Sequence, residues 1–274
     1  MSASTSALPQ PSGRIIGERT AENVLSVRSL FKSFRRGSVV SPIRRAALSD
    51  VSFDVAEGEI VGVVGHVGSG KTTLFQCLGG LLRVDRGEVI LHGQVMNRAG
   101  GTRGIAFIPA APLYYECLSV CDVLEYRAAR VAIASQPHDG ASQARSSIVR
   151  DVANALDLSS MLDRCVLGLS IPALRRLALA EALIDSPAVI LLDTSETRGE
   201  RYEHTLLMSG IQAIAARGTS VLVASRSAEW LTRTASRFMF LDAGCIIGSR
   251  TDLSVDTDHS YAERQRSLVA ERIH

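Results

Sequence analysis

The sequence predicts an α/β fold, a mostly parallel sheet covered by helices, with antiparallel strands at its N-terminal side and a helical lobe inserted in the middle. Three observations carry this. Short apolar runs alternate with amphipathic segments from residue 170 onward. A buried-strand pattern at residues 59–65 runs through a glycine-rich loop into a helical pattern. Residues 113–168 between these parts carry helical periodicity and no convincing strand. Alternating strand and helix signals favour a parallel sheet, because each crossover helix returns the chain to the same edge.

In order, "NVLSVRSLFKSF" and "AALSDVSFDV" read as strands, the second with period-two alternation. After a turn at Glu57-Gly58, the apolar "EIVGVVG" reads as a central strand buried on both faces. The spacing of Leu74, Leu78 and Leu81 predicts a helix, and "GEVILHG" returns as a strand after the turn at Asp85, Arg86 and Gly87. Following the short strand "GIAFIP", the segments "SVCDVLEYRAARVAI" and "RSSIVRDVANALDL" read as helices, joined by the loop "SQPHDGASQ". The core then resumes as helix "ALRRLALAEALI", strand "AVILLD", helix "TLLMSGIQAIAA", strand "SVLVAS", and a closing hairpin "RFMFLDAGCIIG" turning near Ala243-Gly244. Residues 1–20 read as a flexible tail, 21–250 as one domain with its lobe at about 113–168, and 251–274 as a charged C-terminal tail.

Bulk properties exclude several classes of function. The 274 residues, 46% of them hydrophobic, fill a sizeable core. A net charge of +2, from 30 basic and 28 acidic residues spread along the chain, provides no nucleic-acid face. No apolar run reaches the 18 or so residues of a membrane span. The five cysteines, an odd number without a CxxC pair, argue against a disulfide framework or zinc site; Cys117 and Cys121 read as small buried apolar residues. Lysine occurs only at Lys32 and Lys71, against 28 arginines.

Lys71 lies in "GHVGSGKTT", residues Gly65 to Thr73, which fits G-x-x-x-x-G-K-[ST] and sits where that pattern has meaning, after a buried strand and before a helix. Gly65, Gly68 and Gly70 allow the backbone amides of the loop, including those of Ser69 and Thr73, to wrap around phosphates. Lys71 is placed for the β- and γ-phosphates and Thr72 for Mg²⁺. Asp193, which ends the apolar strand "AVILLD", is the second candidate metal ligand; outside this context an Asp in that place is a turn residue. These residues describe a P-loop NTPase core.

With these motifs in hand, residues from about 22 to 250 resemble the ATP-binding cassette family, the nucleotide-binding subunits of ABC transporters. The likeness rests on the P-loop, on "LSDVSFDVAEGEIVGVVG" before it, on "LSIPALRRLALAEALIDSPAVILLD" after it, and on the inserted lobe between them. It implies ATP and Mg²⁺ as ligands, Phe34 stacking on adenine, and two partners: a membrane permease subunit and a second cassette, identical or different. It also implies a cytoplasmic location, peripheral to the inner membrane.

The departures from the family pattern fall on its catalytic residues. Thr194 stands where the family has the glutamate that polarises the attacking water, and a hydroxyl is no base near neutral pH. Ala110 stands for the γ-phosphate-sensing glutamine, and Arg226 for a histidine. The signature Leu-Ser-Gly-Gly-Gln reads "LSIPA", keeping Ser170 as a phosphate contact and helix cap; Pro172 removes a backbone N–H donor, and Ile171 adds bulk. The turn "TSETRGE" does not resemble the family's Ser-[AG]-Leu-Asp. The resemblance therefore implies a subunit that binds Mg-ATP and hydrolyses it weakly or not at all. An ATP-gated scaffold without a transport role is one alternative; an active ATPase using Glu196 and Arg226 is another.

Overall fold

A computed structural model describes residues 23–36, 43–96, 104–134, 141–195 and 201–251. The expected tail at 1–20 lies outside these residues, as do Glu196 and all of the expected C-terminal tail except Thr251.

Six strands form the central sheet in the order β10-β9-β3-β8-β7-β6. β3 (Ile60–Val64), β7 (Val189–Asp193) and β8 (Ser220–Ser225) are buried along their whole length. They are parallel to one another and to β6 (Ile105–Ile108) and β9 (Arg237–Asp242), while β10 (Cys245–Arg250) closes the edge as an antiparallel hairpin. Alternate residues of each strand serve opposite faces. Ile190 and Leu192 of β7 join the core under the helical lobe, with Leu177 and Leu179; Val189 and Leu191 join the core on the other face, with Leu74, Phe75 and Leu78.

That second core is capped by a four-stranded antiparallel sheet, β2-β1-β4-β5, built from β1 (Asn23–Arg36), β2 (Ile43–Ala56), β4 (Arg86–Leu91) and β5 (Gln94–Val95). Two residues are too few to show alternation, which is why β5 has no signature in the sequence. Helix α1 (Lys71–Leu78) follows the glycine loop. It ends three residues before the predicted Leu81: Gly79 and Gly80 turn the chain, Gly80 at φ 70°, and Leu81 is left 63% exposed.

The lobe consists of α2 (Val120–Ala134) and α3 (Ala141–Ala155), which pack against each other and against α4 (Ile171–Ile184), while α5 (Arg201–Ala215) covers the same face of the sheet. α3 begins inside the stretch expected to be loop, at Ala141. The two lobe cysteines also differ from expectation: Cys117 is exposed and precedes α2, and Cys121 is only half-buried. No described helix is long and apolar enough to cross a membrane.

Candidate nucleotide-binding site

The parallel register brings three chain segments to one edge of the sheet. Val64 pairs with Ser225 and Asp193 with Ala224, so Gly65, Thr194 and Arg226 all emerge where β3, β7 and β8 end. In open α/β sheets this carboxyl edge is where ligands bind.

The glycine loop is held there by contacts that leave little room for side chains. A Cβ on Gly65 would lie 2.2 Å from the Leu241 carbonyl oxygen, and one on Gly70, at φ 108°, would lie 2.6 Å from that of Ala47. Gly68, at φ 82°, faces open space. The hairpin turn supports the loop from behind, with the Gly244 N–H donating to Ser69 O at 2.8 Å. Ser69 is buried, and Thr73 half-buried at the start of α1.

Lys71 is only 3% exposed. Its ammonium donates to Gly65 O at 2.6 Å, His66 O at 2.8 Å and Ser69 Oγ at 3.3 Å. Burial lowers its pKa to about 8; the Asp193 carboxylate works against that shift, and the Arg226 guanidinium adds to it. A cation so placed, short of full compensation, is suited to receiving an anion.

Thr72 Oγ1 donates to Asp193 Oδ2 at 2.6 Å, and the Ser195 N–H donates to Asp193 Oδ1 at 2.9 Å. A hydroxyl and a buried carboxylate, converging from α1 and β7, are hard oxygen donors that fit Mg²⁺, which takes its other ligands from water and phosphate. The residue after Asp193 faces elsewhere. Thr194 is buried, and its Oγ1 donates to Ala224 O at 2.7 Å, so its hydroxyl is bound to the neighbouring strand. Half-buried Arg226 follows Ser225, whose Oγ accepts from Trp230 Nε1 at 2.9 Å and donates to Ser227 O at 2.7 Å.

A family model described as "ABC transporter" matches residues 48–196, more than half of the chain. The chain belongs to the ABC transporter family. It is an ATP-binding domain of that family, and two curated relatives cover most of it. The SkfA peptide export ATP-binding protein SkfE of Bacillus subtilis is 24% identical over 90% of this chain and 95% of its own length. The lipopolysaccharide export system ATP-binding protein LptB of Haemophilus influenzae is 28% identical over 86% of this chain and 94% of its own. Among solved structures, the dimeric post-hydrolysis state of the ATP-binding cassette MJ0796 bound to ADP and Pi superposes with a TM-score of 0.71, at 20% identity over 84% of this chain and 99% of that one. The ADP conformation of the cassette MJ1267 gives a TM-score of 0.69 at 18% identity, covering 84% and 92%. At these identities the structural likeness establishes the fold.

Not every predicted site residue of this cassette sits at the sheet edge. Phe34 lies on β1 opposite Arg45, 40% exposed, with Lys32 Nζ 5.3 Å from its ring centroid. Ser170 is the N-cap of α4 in the lobe, where its Oγ accepts from the Ala173 N–H at a long 3.4 Å, and Pro172 fits the first turn. Ala110 has no side-chain donor, but its carbonyl is gripped by the buried Arg175 of α4, with Nε at 3.2 Å and an Nη at 2.6 Å. Sequence reasoning misses Arg175; an arginine at an otherwise apolar helical position, in "ALRRLALA", is the available signal. In the same joint, the Arg127 guanidinium of α2 pairs with both carboxylate oxygens of Asp185. Glu181 bonds Tyr114 there, and burial pushes the Glu181 carboxyl upward.

Proposed function

We propose that this cassette is the ATP-binding subunit of an ABC-type membrane transporter that holds Mg-ATP and hydrolyses it slowly or not at all. The observation that carries the proposal is the contrast at the end of β7. Asp193 and Thr72 are joined as a metal-ready pair, whereas the Thr194 hydroxyl is buried and bonded to Ala224 O. A general base contributes about 10²- to 10⁴-fold to such a reaction, and no carboxylate occupies the place of Thr194. In binding, Lys71 would exchange its three loop acceptors for phosphate oxygens, and the loop amides would take up the remaining charge. Mg²⁺, held by Thr72 and Asp193, would neutralise phosphate charge. Phe34 would stack on the adenine with its exposed ring.

Cassettes of this family work as facing pairs, one subunit's P-loop against the other's signature segment. In this chain both contributions are altered: Thr194, Ala110 and Arg226 on one side, and Ile171 and Pro172 beside Ser170 on the other. ATP then acts as a structural ligand of a cassette pair, identical or mixed, docked on a permease at the cytoplasmic side of the inner membrane. The relatives' export roles support the transporter setting.

The test is ATP turnover by the purified chain with Mg²⁺, with retained nucleotide measured in the same samples, beside Lys71→Ala. Retention without turnover, lost in Lys71→Ala, is the expected result. Robust turnover abolished by Lys71→Ala would overturn the proposal and point to an unconventional base. Capture of a membrane permease and a second cassette from membrane extracts is expected; co-purification with a soluble complex alone would favour the scaffold alternative.

A further inference from the structure

Five cysteines are present; the fold buries one, half-buries one and leaves three exposed. Cys77 is buried on the core side of α1, and burial pushes its thiol up to about 11. Burial likewise raises the thiol of half-buried Cys121, and the thiol of Cys245, although exposed on β10, is also pushed up, with neighbouring carboxylates helping in both cases. A thiol held protonated is a poor nucleophile. Of the three exposed cysteines, Cys117 and Cys165 lie in adjoining segments of the lobe, whereas Cys245 is on β10.

The joint between the segment leading into α2 and the segment leading into α4 is a short antiparallel pairing. Ser119 bridges Cys165; the Val120 N–H donates to Arg164 O at 3.0 Å, and the Val166 N–H to Leu118 O at 2.9 Å. Cys165 Sγ donates to the Glu116 carbonyl oxygen at 2.7 Å. That carbonyl is in the peptide bond to Cys117. Standard peptide dimensions place the Cys117 Cα about 2.8 Å from this oxygen, so the Cys165 sulfur lies within about 5.5 Å of it. The Cys117 sulfur sits about 2.8 Å from its Cα, so a rotamer turned toward Cys165 brings the two sulfurs within reach of the roughly 2.05 Å S–S bond.

We propose that Cys117 and Cys165 are a redox-active thiol pair that closes to an intramolecular disulfide, with a low-molecular-weight disulfide as oxidant. One thiolate attacks the oxidant's S–S bond, forming a mixed disulfide and releasing one small thiol. The second thiolate attacks the protein sulfur of that mixed disulfide and releases the other. Two protein thiols lose two electrons and two protons, and one small disulfide becomes two small thiols. The bond ties the loop that follows β6 to the stretch running through Leu167 to Ser170, the entrance of α4. Closure of the pair requires no nucleotide.

The test treats the reduced full-length chain with oxidised glutathione under native conditions, quenches with acid, and counts free thiols after denaturation. Peptide mapping by mass spectrometry accompanies the count. Wild type is expected to lose two of its five thiols, without retained glutathione, and to yield a reductant-sensitive linked peptide containing both residues. Cys117→Ser and Cys165→Ser should each stop at a single glutathione adduct, and Cys121→Ser should behave as wild type. Five surviving thiols, stable adducts on both cysteines without a link, or links found only between molecules would each overturn the proposal; the wild-type map decides the matter even if a variant fails to fold.

Discussion

Gly65→Ala and Gly68→Ala fall in one loop, and the structure separates their costs. At Gly65 the new methyl meets the Leu241 backbone oxygen at 2.2 Å and Ser69 Oγ at 2.6 Å. Ordinary contact begins near 3.4 Å. The end of β9 or the loop must therefore move by about 1 Å, beyond the reach of a side-chain rotation. At Gly68 the methyl meets nothing within 4 Å, and the cost is the left-handed backbone alone, at φ 82°. Overpacking against backbone costs about 3 kcal/mol, and a left-handed alanine about 1–2 kcal/mol. In a domain of this size those penalties lower Tm by roughly 6–12 °C and 2–8 °C respectively. Thermal melts with and without Mg-ATP read both effects, and Gly65→Ala should also lose the stabilisation that nucleotide confers. A larger shift for Gly68→Ala than for Gly65→Ala would refute the loop packing described.

Three further outcomes are expected. Nucleotide affinity should weaken as pH rises through about 8, because Lys71 then loses the proton that makes it a phosphate ligand; a titration series from about pH 7 to about pH 9.5 should show this in wild type and a flatter profile in Lys71→Arg. Arg175→Ala should destabilise the cassette by about 2 kcal/mol, since it leaves the Ala110 carbonyl without its buried fork, and chemical denaturation should show Arg175→Lys recovering part of the loss. Thr194→Glu should lower Tm, because a carboxylate replaces a hydroxyl that donates to Ala224 O, and should leave phosphate release near the wild-type level; a hundredfold rise would mean that Thr194 alone silences the site.

Legibility in the sequence varies with how local the determining physics is. The phosphate loop is a contiguous pattern flanked by a strand and a helix, so Lys71, Thr72 and their glycines are readable, and the apolar run before them announces a fully buried strand. Asp193 is readable only as a strand end; its 2.6 Å partnership with Thr72 joins residues far apart in sequence. Leu81 misleads because helical spacing continues past two glycines that end the helix. Cys117 and Cys121 mislead because hydrophobic character does not decide burial when the chain turns just before α2. Arg175 is hidden because its partner is a backbone carbonyl, and carbonyls have no sequence signature.

The chain contains one tryptophan, Trp230, and its indole N–H is bonded to Ser225 Oγ, next to Arg226 at the sheet edge. Indole emission responds to hydrogen bonding and to nearby charge, so the molecule carries an unlabelled optical probe beside its phosphate loop. Filling of the loop by a polyanion is expected to change this emission, which would report binding without a chromophoric nucleotide and without waiting for any turnover.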